Sequence, residues 1–130
     1  MTNLVETTTG RSVPEVIDAL RAGLARRGIH VFAVIDHAAA AREAGLELHD
    51  ETVVIFGDPR VGTALMVADA RVGIDLPLRI LAWSDGQRTH VASHDPRSLA
   101  DSYDLAPANE TIGRLGGLLA QLVTEVTTEN

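Results

Sequence analysis

Hydrophobic positions along the chain alternate between helical and strand-like periods. Val16, Ile17, Leu20 and Leu24 recur at helical spacing behind Ser12-Val13-Pro14-Glu15. A Ser cap, a Pro in the first turn and a Glu three residues after the Ser predict a helix start there. Arg26 and Arg27 fall in its last turn, and Gly28 supplies a left-handed cap. Residues 4–9 are β-branched and predict a first strand, turned by Gly10 and Arg11. Residues 29–35 are almost wholly apolar and rich in branched side chains, which predicts a central strand.

Asp36 then caps a short helix over 37–44, closed by Gly45. Residues 52–56 are apolar at every second position on both faces and predict a buried strand. Asp58 and Pro59 open a third helix, with Val61, Leu65, Ala68 and Val72 on one face and Gly73 at its end. Pro77 opens a strand over 78–84, and Asp85-Gly86 predicts a two-residue hairpin turn into 87–94. In that register Ser84 faces Gln87 and Trp83 faces Arg88 in a cation–π clasp. One hairpin face then carries Leu78, Ile80, Ala82, Thr89, Val91 and Ser93, and meets the helices. The other carries Arg79, Leu81, Trp83, Arg88, His90, Ala92 and His94, a mixed surface unlike a dry core.

Asp95-Pro96 starts a short helix to about residue 103. Asn109 caps a final helix to about 127, with the seam Ile112, Leu115, Leu119, Leu122 and Val126. Gly113, Gly116 and Gly117 lie in that helix and suggest close approach by another backbone element. The pattern predicts one α+β domain over 1–130, with about five strands and four or five helices. Its core spans about 10–105, and the helix over 109–127 crosses the sheet or lies at a dimer seam.

Composition narrows the chemistry. The chain has 130 residues, of which 45% are hydrophobic, enough for one core. The aromatics are Phe32, Phe56, Trp83 and Tyr103, so that core is aliphatic. A net charge of -7 argues against general nucleic-acid or anionic-membrane binding. All eleven cations are arginine, so no lysine can form a Schiff base. The absence of cysteine removes disulfides, thiolate metal sites and thiol catalysis. No run of about 18 apolar residues appears, and residues 1–10 do not resemble a signal peptide, so a cytoplasmic protein is expected.

Residues 57–63 read Gly-Asp-Pro-Arg-Val-Gly-Thr, with the glycine spacing of a phosphate loop between a strand and a helix. The lysine such a loop needs is missing, and Asp58 opposes a phosphate. The stretch reads as a capped corner, with a carbonyl or carboxylate ligand at the helix N-terminus as the alternative. His90 and His94 share one strand face, but their separation of about 13 Å prevents a shared metal. No two histidines stand four apart on a predicted helix, so no metal and no cofactor are expected. Asp36-His37 and His94-Asp95 each set a carboxylate beside an imidazole, which leaves His37 or His94 open as a general base.

The order of several motifs resembles a known family. Residues 32–41 read Phe-Ala-Val-Ile-Asp-His-Ala-Ala-Ala-Ala, followed by Gly-Leu-Glu-Leu at 45–48. Ile-Phe-Gly-Asp-Pro-Arg-Val-Gly-Thr at 55–63, Leu65-Met66, Gly-Ile-Asp-Leu-Pro-Leu at 73–78 and His94-Asp95-Pro96 complete the series. Over residues 10 to about 105 the chain is similar to the bacterial and archaeal domain of unknown function 302. That resemblance implies a compact α+β domain with a curved, largely antiparallel sheet packed by helices, like the TATA-binding protein, and frequently a dimer. It implies no established activity.

These readings point to a non-catalytic homodimeric domain that binds a small molecule or a partner protein. The candidate ligand-binding residues are His37, Asp58 and Thr63, together with Arg79, Trp83, Arg88, His90 and His94 on the hairpin. Two alternatives stay open. One is a small enzyme using His37 or His94 near the 57–63 turn. The other is an interaction module that uses the C-terminal helix.

Overall fold

The computed structural model describes residues 4–129. Five strands form one antiparallel sheet: β1 (Leu4–Thr9), β2 (His30–Asp36), β3 (Glu51–Gly57), β4 (Leu78–Ser84) and β5 (Thr89–His94). Their spatial order is β1-β5-β4-β3-β2. The helices are α1 (Val13–Arg26), α2 (His37–Glu43), α3 (Pro59–Ala68), α4 (Leu99–Ser102) and α5 (Asn109–Thr127). The architecture is α+β, with helices packed on an antiparallel sheet.

Helix α1 begins as its sequence predicts. Ser12 accepts from the Glu15 amide while the Glu15 carboxylate accepts from the Ser12 amide. It ends at Gly28, whose φ of 66° lets the Ile29 amide turn back to the Leu24 carbonyl at 2.9 Å. Its apolar stripe of Val16, Leu20 and Leu24 is fully buried. The stripe meets Val54, Phe56, Ile80 and Val91 of the sheet and Leu119, Leu122 and Val126 of α5. Each such Leu or Val contributes roughly 1.5–3 kcal/mol by leaving water. A second cluster gathers Leu65, Val72, Leu105, Ala108, Ile112 and Leu115 beneath α3. Helix α5 thus spends its whole seam on the chain's own core.

Several expectations are corrected. Strand β2 lies at a sheet edge, not at the centre, and leaves Phe32 and Ile35 exposed. Its apolar run reflects burial of Val31 and Val34 against the core, interrupted by a register shift between Val31 and Ala33. Helix α3 stops at Ala68 because Asp69 is extended. Its carboxylate caps a 3₁₀ turn over Ala70–Asp75 and accepts the Asp104 amide at 2.9 Å. Asn109 is the first residue of α5 and caps nothing; a 3₁₀ turn over Ala106–Ala108 leads in.

The hairpin register differs by two residues from the two-residue turn. Trp83 faces His90 and Ser84 faces Thr89. The Asp85 carboxylate accepts both the Gln87 and Arg88 amides, and its own amide donates to the Arg88 carbonyl, closing a four-residue loop. A shift of two keeps every side chain on its face. Ile80, Ala82, Thr89, Val91 and Ser93 are therefore buried as the pattern predicts.

Candidate functional site

Strand β3 ends at Gly57 and the chain turns into α3 through Asp58 and Pro59. The Asp58 carboxylate accepts the Arg60 amide at 3.0 Å and is gripped by the Arg60 guanidinium at 3.2 and 3.1 Å. The Val61 and Gly62 amides both donate to the Asp58 carbonyl. Pro59 has no amide hydrogen to offer. The donors that would hold an anion at this N-terminus are thus consumed within the corner itself. The Arg60 guanidinium holds the Asp58 carboxyl below the usual carboxylate range.

Beside this corner lies a pocket of about 410 Å³. Phe56, Leu65, Leu76, Leu115 and Leu118 line its walls, and the exposed Phe32 and Met66 stand at it too. Gly62 makes room: a Cβ there would meet Met66 Cε only at 3.8 Å and Leu76 Cδ1 at 3.9 Å. Among the described residues Asp58 is the one ionisable residue lining it, and Thr63 adds a hydroxyl in the exposed first half of α3. The arrangement can desolvate a hydrocarbon surface; it offers no acid–base pair.

The other sequence-derived residues fall elsewhere. His37 is exposed at the start of α2, next to Asp36, which pairs with Thr52 at the end of β3 away from Gly57. His94 is exposed at the end of β5 and lines a separate cleft. Neither imidazole lines the pocket at 57–63.

Trp83 and Arg88 do not form a clasp. The indole face is taken by the His90 ring, stacked at 5.0 Å and 12°. Arg88 sits in the exposed hairpin loop and reaches Glu129 at 3.5 Å. His90 Nδ1 lies 3.0 Å from Glu6 and Nε2 lies 2.8 Å from Asp85. These two hydrogen bonds, Asp85 first, raise the His90 pKa above its ordinary value. The cluster ties β1 to the hairpin and has its hydrogen-bonding capacity filled from within.

Among the described residues, nothing outside α5's own backbone lies within 4 Å of a Cβ added at Gly113, Gly116 or Gly117, so none of them packs a backbone closely there. Among the described residues, no group of three His, Asp or Glu side chains is placed to hold a metal ion. The pocket's contribution from Phe32, Leu76 and Leu118 escaped the sequence reading. The available signal was Phe32 itself, the lone aromatic in β2, two strand positions from His30 at the Gly57 end.

Comparison with known proteins supplies the family. Residues 5–122 match the family described as domain of unknown function DUF302. A crystal structure described as an uncharacterized conserved protein DUF302 from Bacillus stearothermophilus superposes with a TM-score of 0.83. The match covers 97% of this chain and 99% of that one at 17% identity, a likeness of fold. Relatives from Brucella suis and Brucella abortus, each named fluoride-specific ion channel FluC 1, are 39% identical over 108 residues. That alignment covers 82% of this chain but only 42% and 40% of those proteins, so the chain spans about two-fifths of their length. Among the described residues no helix is long and apolar enough to cross a membrane. With a family match over most of its length and the same five-stranded α+β fold, the chain belongs to the DUF302 family.

Proposed function

We propose that the chain is a non-catalytic, homodimeric binding domain whose pocket beside residues 57–63 takes an apolar small molecule. The observation that carries this reading is the pairing of an aliphatic and aromatic pocket with a helix N-terminus that has already used its own donors. Burial of hydrocarbon surface drives such binding, and the pocket has the size of a ligand site. Self-association is supported by the two open sheet edges, which expose Leu4 and Val5 on β1 and Phe32 and Ile35 on β2. Ion conduction, the function in the names of the Brucella relatives, is not part of the proposal.

The test uses Nile red, a neutral apolar fluorophore, with the full chain and Gly62→Leu. The leucine projects into the pocket, and replacing Gly in α3 improves helix propensity by roughly 0.8 kcal/mol. Wild type is expected to enhance Nile red emission saturably, and Gly62→Leu to bind at least about tenfold more weakly while staying folded. Equal binding by the variant, or no saturable binding by wild type, overturns the pocket assignment. Sedimentation as a monomer at concentrations of about 100 μM overturns the homodimer.

A further inference from the structure

The two open edges of the sheet are not alike. Strand β2 is interrupted by a register shift between Val31 and Ala33, and such a bulge twists an edge away from an incoming strand. Strand β1 pairs with β5 in unbroken register from Leu4 to Thr9. Its sequence, Leu-Val-Glu-Thr-Thr-Thr, holds no Pro, Lys or Gly and is rich in β-branched residues. Its one charged residue, Glu6, lies 3.0 Å from His90 Nδ1 on the neighbouring strand. No strand covers the outer side of β1 among the described residues, and Leu4 and Val5 are 49% and 54% exposed. An edge without these defences is a template for another strand.

The sequence of β1 also suits pairing with itself. Opposite residues of an antiparallel pair share a face. A twofold axis perpendicular to the sheet therefore passes beside one residue and its own copy. Two axis positions leave all but one of the six β1 residues paired, one beside Glu6 and one beside Thr7. The first sets the two Glu6 carboxylates directly against each other, which destabilises a pair. The second sets Val5 against the partner's Thr9, Glu6 against the partner's Thr8 and Thr7 against the partner's Thr7. In that register no like charges meet.

We infer that β1 is the seam of the homodimer, pairing antiparallel with β1 of a second copy about a twofold axis beside Thr7. This rests on the homodimeric reading above and assigns the edge and register that carry it. The five strands of each copy join into one continuous sheet, with α1 and α5 of both copies on the same side. Backbone groups on the open side of β1 gain strand partners, which gives the contact its direction. The bulged β2 edge stays free.

The chain has no cysteine, so single cysteine substitutions report the register without background. On the axis the two Thr7 Cα atoms stand about 4.5–5.5 Å apart, within reach of a disulfide. Val5 and Thr8 stand at least about 8 Å from their own copies, too far for one. Thr7→Cys is expected to oxidise to a covalent dimer at least about tenfold faster than Val5→Cys or Thr8→Cys. Thr7→Lys, which opposes two ammonium groups, should weaken the dimer seen by sedimentation about fivefold or more. Ile35→Lys on the exposed β2 edge should dimerise as wild type. If Thr7→Lys does not fold, the cysteine series still decides. A wild type that sediments as a monomer at about 100 μM removes the homodimer and the seam together. A dimer that resists a folded Thr7→Lys, that is broken by Ile35→Lys, or that crosslinks as fast through Val5→Cys or Thr8→Cys removes this seam and leaves the homodimer standing.

Discussion

Trp83 and His90 face each other across β4 and β5, with their rings stacked 5.0 Å apart at 12°. The stack leaves both His90 nitrogens in the ring plane free to meet carboxylates, Glu6 on one side and Asp85 on the other. Filling both bonds requires two N–H groups, so the arrangement selects the imidazolium. Because the folded pKa is raised, first by Asp85 and then by Glu6, the stabilisation is fully present below 6.5 and is lost as pH rises through the folded value. Asp85 has the opposite sign. Its carboxyl is held low, chiefly by the Arg88 amide and then by His90, so its contribution is lost only in acid. The urea midpoint of wild type is therefore expected to exceed that of His90→Gln most at about pH 6, with the gap shrinking by about pH 9. An equal gap at both would contradict the imidazolium assignment.

Ser12→Ala should remove the cap that holds the Glu15 amide at 3.2 Å. Losing such a cap costs about 1 kcal/mol. Denaturant unfolding with an unchanged slope would register it as a lower midpoint. Glu15→Gln should cost less, since the amide can still accept from the Ser12 backbone.

Leu122→Ala should be far more damaging. The side chain is fully buried and belongs to the cluster shared by α1, α5 and the sheet. A loss of about 2–5 kcal/mol is expected from the transfer and cavity terms together. A calorimetric melting point within about 2 °C of wild type would show that α5 does not close the core.

Gly116→Ala tests the outer side of the same helix. Among the described residues nothing lies within 4 Å of the added Cβ, so the substitution meets no neighbour there. The gain expected from helix propensity is about 0.8–1 kcal/mol. A loss of stability or a change in sedimentation would instead reveal something packed against that face.

Strong local signals carried most of the fold. The Ser12 box, the Asp36 and Asp58 caps and the α5 seam each combine several neighbouring residues that agree, and their elements form. The misjudged features were decided by partners far along the chain or by one side chain's geometry. Asp69 ends α3 by reaching the Asp104 amide, 35 residues on. Asp85 widens the hairpin loop by accepting two amides, although Asp-Gly favours a two-residue turn. Strand order is invisible within 29–35, because side-chain character reports burial of faces and not the presence of a hydrogen-bonded neighbour on each edge. The pocket was legible only in part. Asp58 and Thr63 mark its rim and Phe56 and Leu65 its near wall, but the rest of its lining comes from β2, α5 and residues 73–78, brought there by the fold.

Three corners repeat one device: Asp58 with Arg60, Asp69 with Arg71, and Asp95 with Arg97. Partners two residues apart close almost no loop, so the denatured chain can form the same contact. These ion pairs therefore largely cancel between the folded and unfolded states. The Asp58 and Asp95 carboxyls, held low chiefly by these local arginines, contribute little to the acid transition of the fold, whereas Asp69, which also accepts the distant Asp104 amide, and Asp85, whose partner His90 sits on a strand, contribute more. The device acts as local insulation that sets which charges the surface shows, while the cohesion of the molecule comes from its long-range apolar contacts.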